Sequence, residues 1–188
     1  MKASQQGSTF ERHLANPRTL IFVTSNHPQS GRREVLLLKG SAHKRLWSGL
    51  YNGLGGHVEV GEDILSAAER ELAEESGLTD VALHLRGVVH IDTREAGKGA
   101  QPGVLIFVFC GHTTERTIKP SAEGTPEWIP VDGLVNLPLV DDLFELLPQM
   151  LDASAPMVYA HYAADDSATI QFHFRTAEPP TPGPPANL

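Results

Sequence analysis

Apolar residues fall along this chain in short runs broken by polar, Gly- and Pro-rich stretches, and in two places the spacing changes to that of a helix. Thr19 to Val23 and Val35 to Leu38 are apolar runs separated by the loop His27 to Gly31, and predict a hairpin or two neighbouring strands. Gly40 to Asn52 is a polar loop. Val81 to Asp92 alternates as a strand does, and Arg94 to Gly103 is loop again. Val104 to Cys110 is apolar on both faces, the pattern of a central strand covered by helices on each side. Glu127 to Val131 predicts a short strand. Val140 to Leu151 has helical periodicity through Leu143, Phe144, Leu146 and Leu147, with Pro148 expected to disturb its end. Met157 to Tyr162 and Thr169 to Arg175 flank a turn at Asp165-Asp166-Ser167. In the second run Ile170, Phe172 and Phe174 alternate with polar residues, as in a half-buried strand. Residues 1–17 are polar and read as a flexible arm, and 177–188 hold five prolines and read as a disordered tail. Residues 18–176 are left as one domain, without internal repeats.

The other helical pattern carries the chemistry. From about Asp63, the apolar Ile64, Leu65, Ala68 and Leu72 predict a buried stripe, and Gly77 is placed to end the helix in a left-handed cap. Gly55-Gly56 permits a tight turn ahead of it. Seven acids lie between Glu59 and Glu75, with Arg70 the only base among them. Such crowding is self-repulsive unless a cation is expected. At the helical repeat, Glu71, Glu74 and Glu75 share one sector of about 100° beside the apolar stripe. Hard oxygen ligands at that density suit Mg²⁺, with Mn²⁺ as the alternative. Magnesium is commonly completed by water and substrate phosphates, which implies a phosphate ester or anhydride as substrate. Arg70 either makes an i, i+4 pair with Glu74 or orients a neighbouring carboxylate. The bland meaning of a charge run is a solvated helix face; it leaves unexplained why Gly56, Glu62, Arg70, Glu71, Glu74, Glu75 and Gly77 stand at these offsets.

Those residues, with Leu72 and Leu78, match the Nudix box without a departure: Gly, five residues, Glu, seven residues, Arg-Glu-apolar-any-Glu-Glu-any-Gly-apolar. The flanks Trp47 to Gly56, Glu123 to Trp128 and Leu137 to Val140 also resemble MutT-like 8-oxo-dGTP diphosphatases, so the likeness spans about residues 18–176. The resemblance implies an α/β (α+β) fold, an α/β/α sandwich with a mixed β-sheet between helices. It implies hydrolysis of a nucleoside diphosphate linked to another moiety, here a nucleoside triphosphate cleaved to monophosphate and pyrophosphate. Metal would be held through Glu71, Glu74 and Glu75 and the Gly56 carbonyl, with a further carboxylate from a later loop, Glu123 before Glu127. Glu62 would support the cluster. Glu71 is the first choice for general base and Glu75 for the strongest metal ligand, roles that coupled carboxylates can exchange. The box reads only the diphosphate, so ADP-ribose, a dinucleotide or another nucleoside diphosphate derivative is the alternative substrate. A non-catalytic nucleotide sensor is the alternative class, and the intact glutamate set argues against it.

Composition narrows the partners. A net charge of −8 opposes binding to duplex nucleic acid, which needs a basic footprint. The lone cysteine, Cys110, sits in an apolar run and forms no internal disulfide; a cytoplasmic location is the expectation. The longest apolar run is too short to span a bilayer, and no membrane partner is expected. The nine histidines show no metal-ligand spacing. Lys39, Lys44 and Arg45 are candidate phosphate contacts. Trp47, Tyr51 and Trp128 are candidate stacking surfaces for a base, and Asn52 is a candidate for its hydrogen-bonding edge. A homodimer is left open.

Overall fold

The computed structural model describes residues 13–41, 47–93, 101–164 and 170–177. The elements in chain order are β1 (Ala15–Asn26), β2 (Arg33–Gly40), β3 (Tyr51–Asn52), α1 (Ile64–Ser76), β4 (His84–Ile91), β5 (Gly103–His112), β6 (Gly124–Pro130), a 3-10 turn (Val131–Asn136), α2 (Leu143–Leu151), β7 (Val158–Ala164) and β8 (Ile170–Thr176). The strands form one eight-stranded sheet in the order β3-β2-β1-β5-β4-β7-β8, with β6 added on β2. It is mixed: β1 runs parallel to β5 and β4 to β7, while the other pairs are antiparallel.

Strand alternation sorts the core into two layers. Leu20 and Phe22 of β1 and Val35 and Leu37 of β2 pack with Leu143, Leu146, Leu147 and Met150 of α2. Ile21, Val23, Leu36 and Leu38 face the other way, onto Ala68 and Leu72 of α1. One helix therefore covers each face, and the fold is the expected α/β/α sandwich. Val108 and Phe109 of β5 serve opposite layers, as a strand apolar on both faces must.

β1 and β2 pair with each other only over Thr24–Asn26 and Arg33–Val35. Past that point the segment 51–57 serves both strands. Asn52 and Tyr51 pair with Leu38 and Lys39, while Leu54 exchanges hydrogen bonds with Ile21 (2.7 and 3.2 Å) and Thr19 N–H donates to the Gly56 carbonyl at 2.8 Å. This insertion carries the chain to α1. The Asp63 carboxylate caps the helix by accepting from the Leu65 and Ser66 N–H groups, and Gly77 closes it in the left-handed conformation at φ 78°.

Some boundaries differ from the sequence pattern. Residues 15–17, expected in the arm, belong to β1 and pair with Gly103–Leu105 of β5. That long-range ladder leaves no local hydrophobic signature. Leu65 is exposed and Ala67 takes its expected place in the buried stripe. α2 starts at Leu143, three residues beyond Val140, whose N–H donates to the Tyr51 carbonyl at 3.0 Å. Pro148 lies inside α2, and the buried Leu146, Leu147, Met150 and Leu151 on either side hold the last turn on the sheet. Residues 1–12 of the expected arm, Lys44, Arg45, the Asp165–Ser167 turn and all but Ala177 of the tail lie outside the described residues. Among the described residues no helix is long and apolar enough to cross a membrane.

At the start of α2, Asp142 makes no side-chain cap bond; its Oδ2 accepts from the Tyr162 hydroxyl at 3.0 Å. Burial raises the Asp142 carboxyl above its ordinary value, against the lowering effect of that bond. A raised folded-state pKa means that the native state holds the proton longer than the unfolded chain. Stability is therefore lost as pH rises through the folded value. Asp142→Asn keeps an acceptor for Tyr162 and removes the charge. It is expected to raise the melting temperature at neutral pH, with the gain vanishing toward acid pH. Thermal melts of both proteins across that range check the sign, and a uniformly less stable variant would contradict it.

Candidate active site

The periodicity of α1 sets Glu71 and Glu75 one turn apart on the edge that meets the segment Gly55-Gly56. Both carboxylates are drawn inward: Glu71 is 8% exposed and Glu75 is 2% exposed. Burying an ionised carboxylate is costly without partners. Glu75 Oε2 accepts the Gly55 N–H at 2.7 Å. Gly55 has φ 132°, and a Cβ there would stand 2.3 Å from the Thr19 carbonyl oxygen, so the position admits only glycine. Gly56 serves the other carboxylate: a Cβ on it would lie 2.3 Å from Glu71 Oε1. The missing side chain is the space Glu71 occupies.

Arg70 organises the outer charges. Its Nη1 donates to Glu71 Oε1 at 2.9 Å and to Glu74 Oε2 at 3.3 Å, and its Nη2 donates to Glu62 Oε1 at 2.7 Å and to the His57 carbonyl at 3.0 Å. Arg70 therefore makes the i, i+4 contact with Glu74 and also orients Glu71. The hydrogen bonds it donates to Glu62 hold the guanidinium protonated well beyond its ordinary range, more than burial opposes this. In return Arg70, followed by the Glu59 N–H, holds the Glu62 carboxyl below its usual value. Glu62 thus acts as a brace for Arg70 and for the loop before the helix. Glu74 remains exposed.

Beside Glu75 opens a cleft lined by Arg18, Trp47, Asn52, Gly53, Gly55 and Glu123, among others. Four residues singled out from the sequence (Trp47, Asn52, Glu75 and Glu123) meet there from four separate segments. Trp47 stands half-exposed in a left-handed backbone conformation, φ 60°. The Asn52 Oδ1 accepts the Gly53 N–H at 2.8 Å, a bond that does not use its amide N–H groups.

Other candidates sit elsewhere. Trp128 is a core-packing residue: its Nε1 donates to the Arg116 carbonyl at 3.2 Å and the Arg116 guanidinium stacks over its ring at 4.8 Å. Its register opposite Leu36 of β2 directs it to the α1 layer. Lys39 lies outside the cleft with its Nζ 5.4 Å from the centre of the Tyr51 ring. Tyr51 is buried and donates to Glu127 Oε2 at 2.8 Å, which occupies the second-choice loop acid. Burial, reinforced by that carboxylate, pushes the Tyr51 hydroxyl up to about 12. Arg45 lies outside the described residues. Arg18, in the same cleft, is a residue that the sequence pattern does not single out. It has no motif of its own, and long-range pairings, with Ile106 in the sheet and with His57 at an isolated bridge, place it there.

Among the described residues no three Asp, Glu, His or Cys side chains converge into a ready cage for a metal ion. Arg70 holds Glu71 and Glu74, and Glu75 is turned toward Gly55. The donor set nonetheless fits a hard divalent cation. Two buried carboxylates stand on one helix edge, Glu71 in the space left by Gly56 and Glu75 in the cleft that Glu123 also lines.

Residues 16–150 match the NUDIX domain family. The chain is 30% identical over 148 residues to an oxidized purine nucleoside triphosphate hydrolase of Danio rerio, covering 79% of this chain and 87% of that protein. It is 31% identical over 158 residues to the protein of the same description from Mus musculus, covering 84% and 93%. A MutT protein crystal structure from Bacillus halodurans superposes with a TM-score of 0.69 at 24% identity, over 85% of this chain and 97% of that one. The match contains the whole of α1 and the Gly55-Gly56 seat of its carboxylates, and this chain belongs to the NUDIX family as a Nudix hydrolase.

Proposed function

We propose that this Nudix hydrolase cleaves a purine nucleoside triphosphate, oxidised on the base, to the monophosphate and pyrophosphate with a divalent cation, Mg²⁺ in the first instance. The observation that carries this is the buried Glu71–Glu75 pair standing beside a cleft that also holds a cation, an aromatic face and a carboxamide. The substrate class is that of the relatives from Danio rerio and Mus musculus.

Glu71, Glu74 and Glu75 would hold the cation, with the Gly56 carbonyl and Glu123 completing the set. When bound, such a cation neutralises phosphate charge and acidifies a coordinated water. The Gly55 N–H donates to Glu75 Oε2 and so lowers the cost of holding that oxygen out of water. Arg70 fixes Glu71 in one orientation, in which it accepts the proton of the water that attacks phosphorus. Arg18 presents a guanidinium to the phosphates, the role expected of the lysines and arginine before the box. The exposed Trp47 indole offers a stacking face, and the Asn52 amide offers donors for the edge of a base. A site built on such bonds rejects analogues that cannot make them.

Glu71→Gln and Glu75→Gln are each expected to lower kcat by roughly 10²- to 10⁴-fold while the fold is retained. Steady-state kinetics of both check this, and near-normal turnover in the pair would remove the carboxylates from the chemistry. Arg18→Gln is expected to raise KM for a triphosphate by about tenfold with a smaller change in kcat. In a turnover panel with Mg²⁺, 8-oxo-dGTP is expected to exceed dGTP and ADP-ribose, and EDTA is expected to abolish the activity. Preference for ADP-ribose would retain the hydrolase and discard the triphosphate.

A further inference from the structure

We propose a second, separate anion site at the other end of the sheet, built to take inorganic phosphate or pyrophosphate. A cavity of about 290 Å³ opens where the end of β1, the start of β2, the start of β4 and the end of β5 meet the last turn of α2. Its polar lining is Thr24, Arg33, His84, Arg86, Cys110 and His112. No Asp or Glu is among the described residues that line it, in a chain whose net charge is −8. Two guanidinium charges border one space, with two imidazoles beside them as further hydrogen-bonding groups.

The arginines are already held in place. Arg33 Nη1 donates to the Leu151 carbonyl at 2.7 Å. Arg86 Nη2 donates to the carbonyls of Asp152 (2.9 Å) and Ala155 (2.8 Å), and its Nη1 to that of Ala153 (3.4 Å). These bonds cap the C-terminal end of α2, whose partial charge of about −0.5 balances only part of two full positive charges. Each guanidinium has five N–H groups, so both keep donors beyond these bonds. His112 Nδ1 faces the Thr24 hydroxyl at 3.1 Å, which leaves its Nε2 for another partner. Asp152, the neighbouring acid, accepts from the Ser154 N–H (2.9 Å) and hydroxyl (2.6 Å) and is also attracted by Arg86, so it offsets part of that one guanidinium's charge. Both arginines act on the interior of the cavity: burial pushes the Cys110 thiol up to about 11, and Arg86 and Arg33 each work against that rise.

The lining selects the class of anion. Its one Phe, Tyr or Trp side chain, Phe22, is buried in the α2 core layer, and no indole or phenol is exposed for a base to stack on. The space suits bare phosphate groups more than a nucleotide. Thr24 lies six residues beyond Arg18 along β1, about 20 Å at the strand rise, so this site does not overlap the Glu75 cleft.

Isothermal titration of the full chain with sodium pyrophosphate, and separately with inorganic phosphate, tests the site. EDTA in the buffer removes metal-dependent binding at the cleft. One saturable site is expected for the wild type. Affinity is expected to fall roughly tenfold in Arg33→Gln, to fall also in His84→Gln, and to recover in part in Arg33→Lys. Arg18→Gln is expected to bind as the wild type does. Absence of saturable binding, equal affinity in Arg33→Gln and His84→Gln, or loss of binding in Arg18→Gln would each overturn the proposal. Tighter binding of guanosine monophosphate than of pyrophosphate would overturn its ligand class.

Discussion

The seating of two buried carboxylates against two glycines governs the rest of this molecule. Gly55 gives Glu75 an N–H partner and Gly56 gives Glu71 room, and both help to hold these carboxylates away from water. An unpaired buried carboxylate would cost several kcal/mol, which is comparable to the whole stability of a small domain. Arg70 shares in the compensation, and Glu62 keeps Arg70 in position. The motif is therefore a closed electrostatic unit of helix, loop and brace, which the fold must hold in register for any chemistry to follow.

The sheet does this through an insertion. β1 and β2 pair briefly, and the segment 51–57 then takes hydrogen bonds from both. Gly53 and Gly55 belong to that arrangement, since a Cβ at either would meet atoms of β1 within 3 Å. The packing that stabilises the sheet also aims Asn52 and Gly55 at the cleft. Stability and site geometry here depend on the same backbone contacts.

Charge is distributed unevenly along the strands. At one end the acids of α1 cluster around Arg70, with Arg18 in the adjoining cleft. At the other, Arg33 and Arg86 grip the carbonyl end of α2 beside His84 and His112. A strongly acidic chain thus holds a basic pocket remote from its acidic helix. Local geometry, and not net charge, decides where each kind of ion is received.

Local order along the chain was enough to identify α1, its cap at Gly77 and the glutamates it carries, because helix periodicity and capping depend on residues a few positions apart. The apolar runs of β1, β2 and β5 were legible for the same reason. Tertiary pairing decided what depends on distant partners. It drew residues 15–17 into β1, turned Trp128 into the α1 layer and set Lys39 over Tyr51. It also brought Arg18, Trp47, Asn52 and Glu123 to one cleft. A strand's neighbours and the space around its side chains arise from contacts far apart in sequence, so they exist only once the sheet has closed around its two helices.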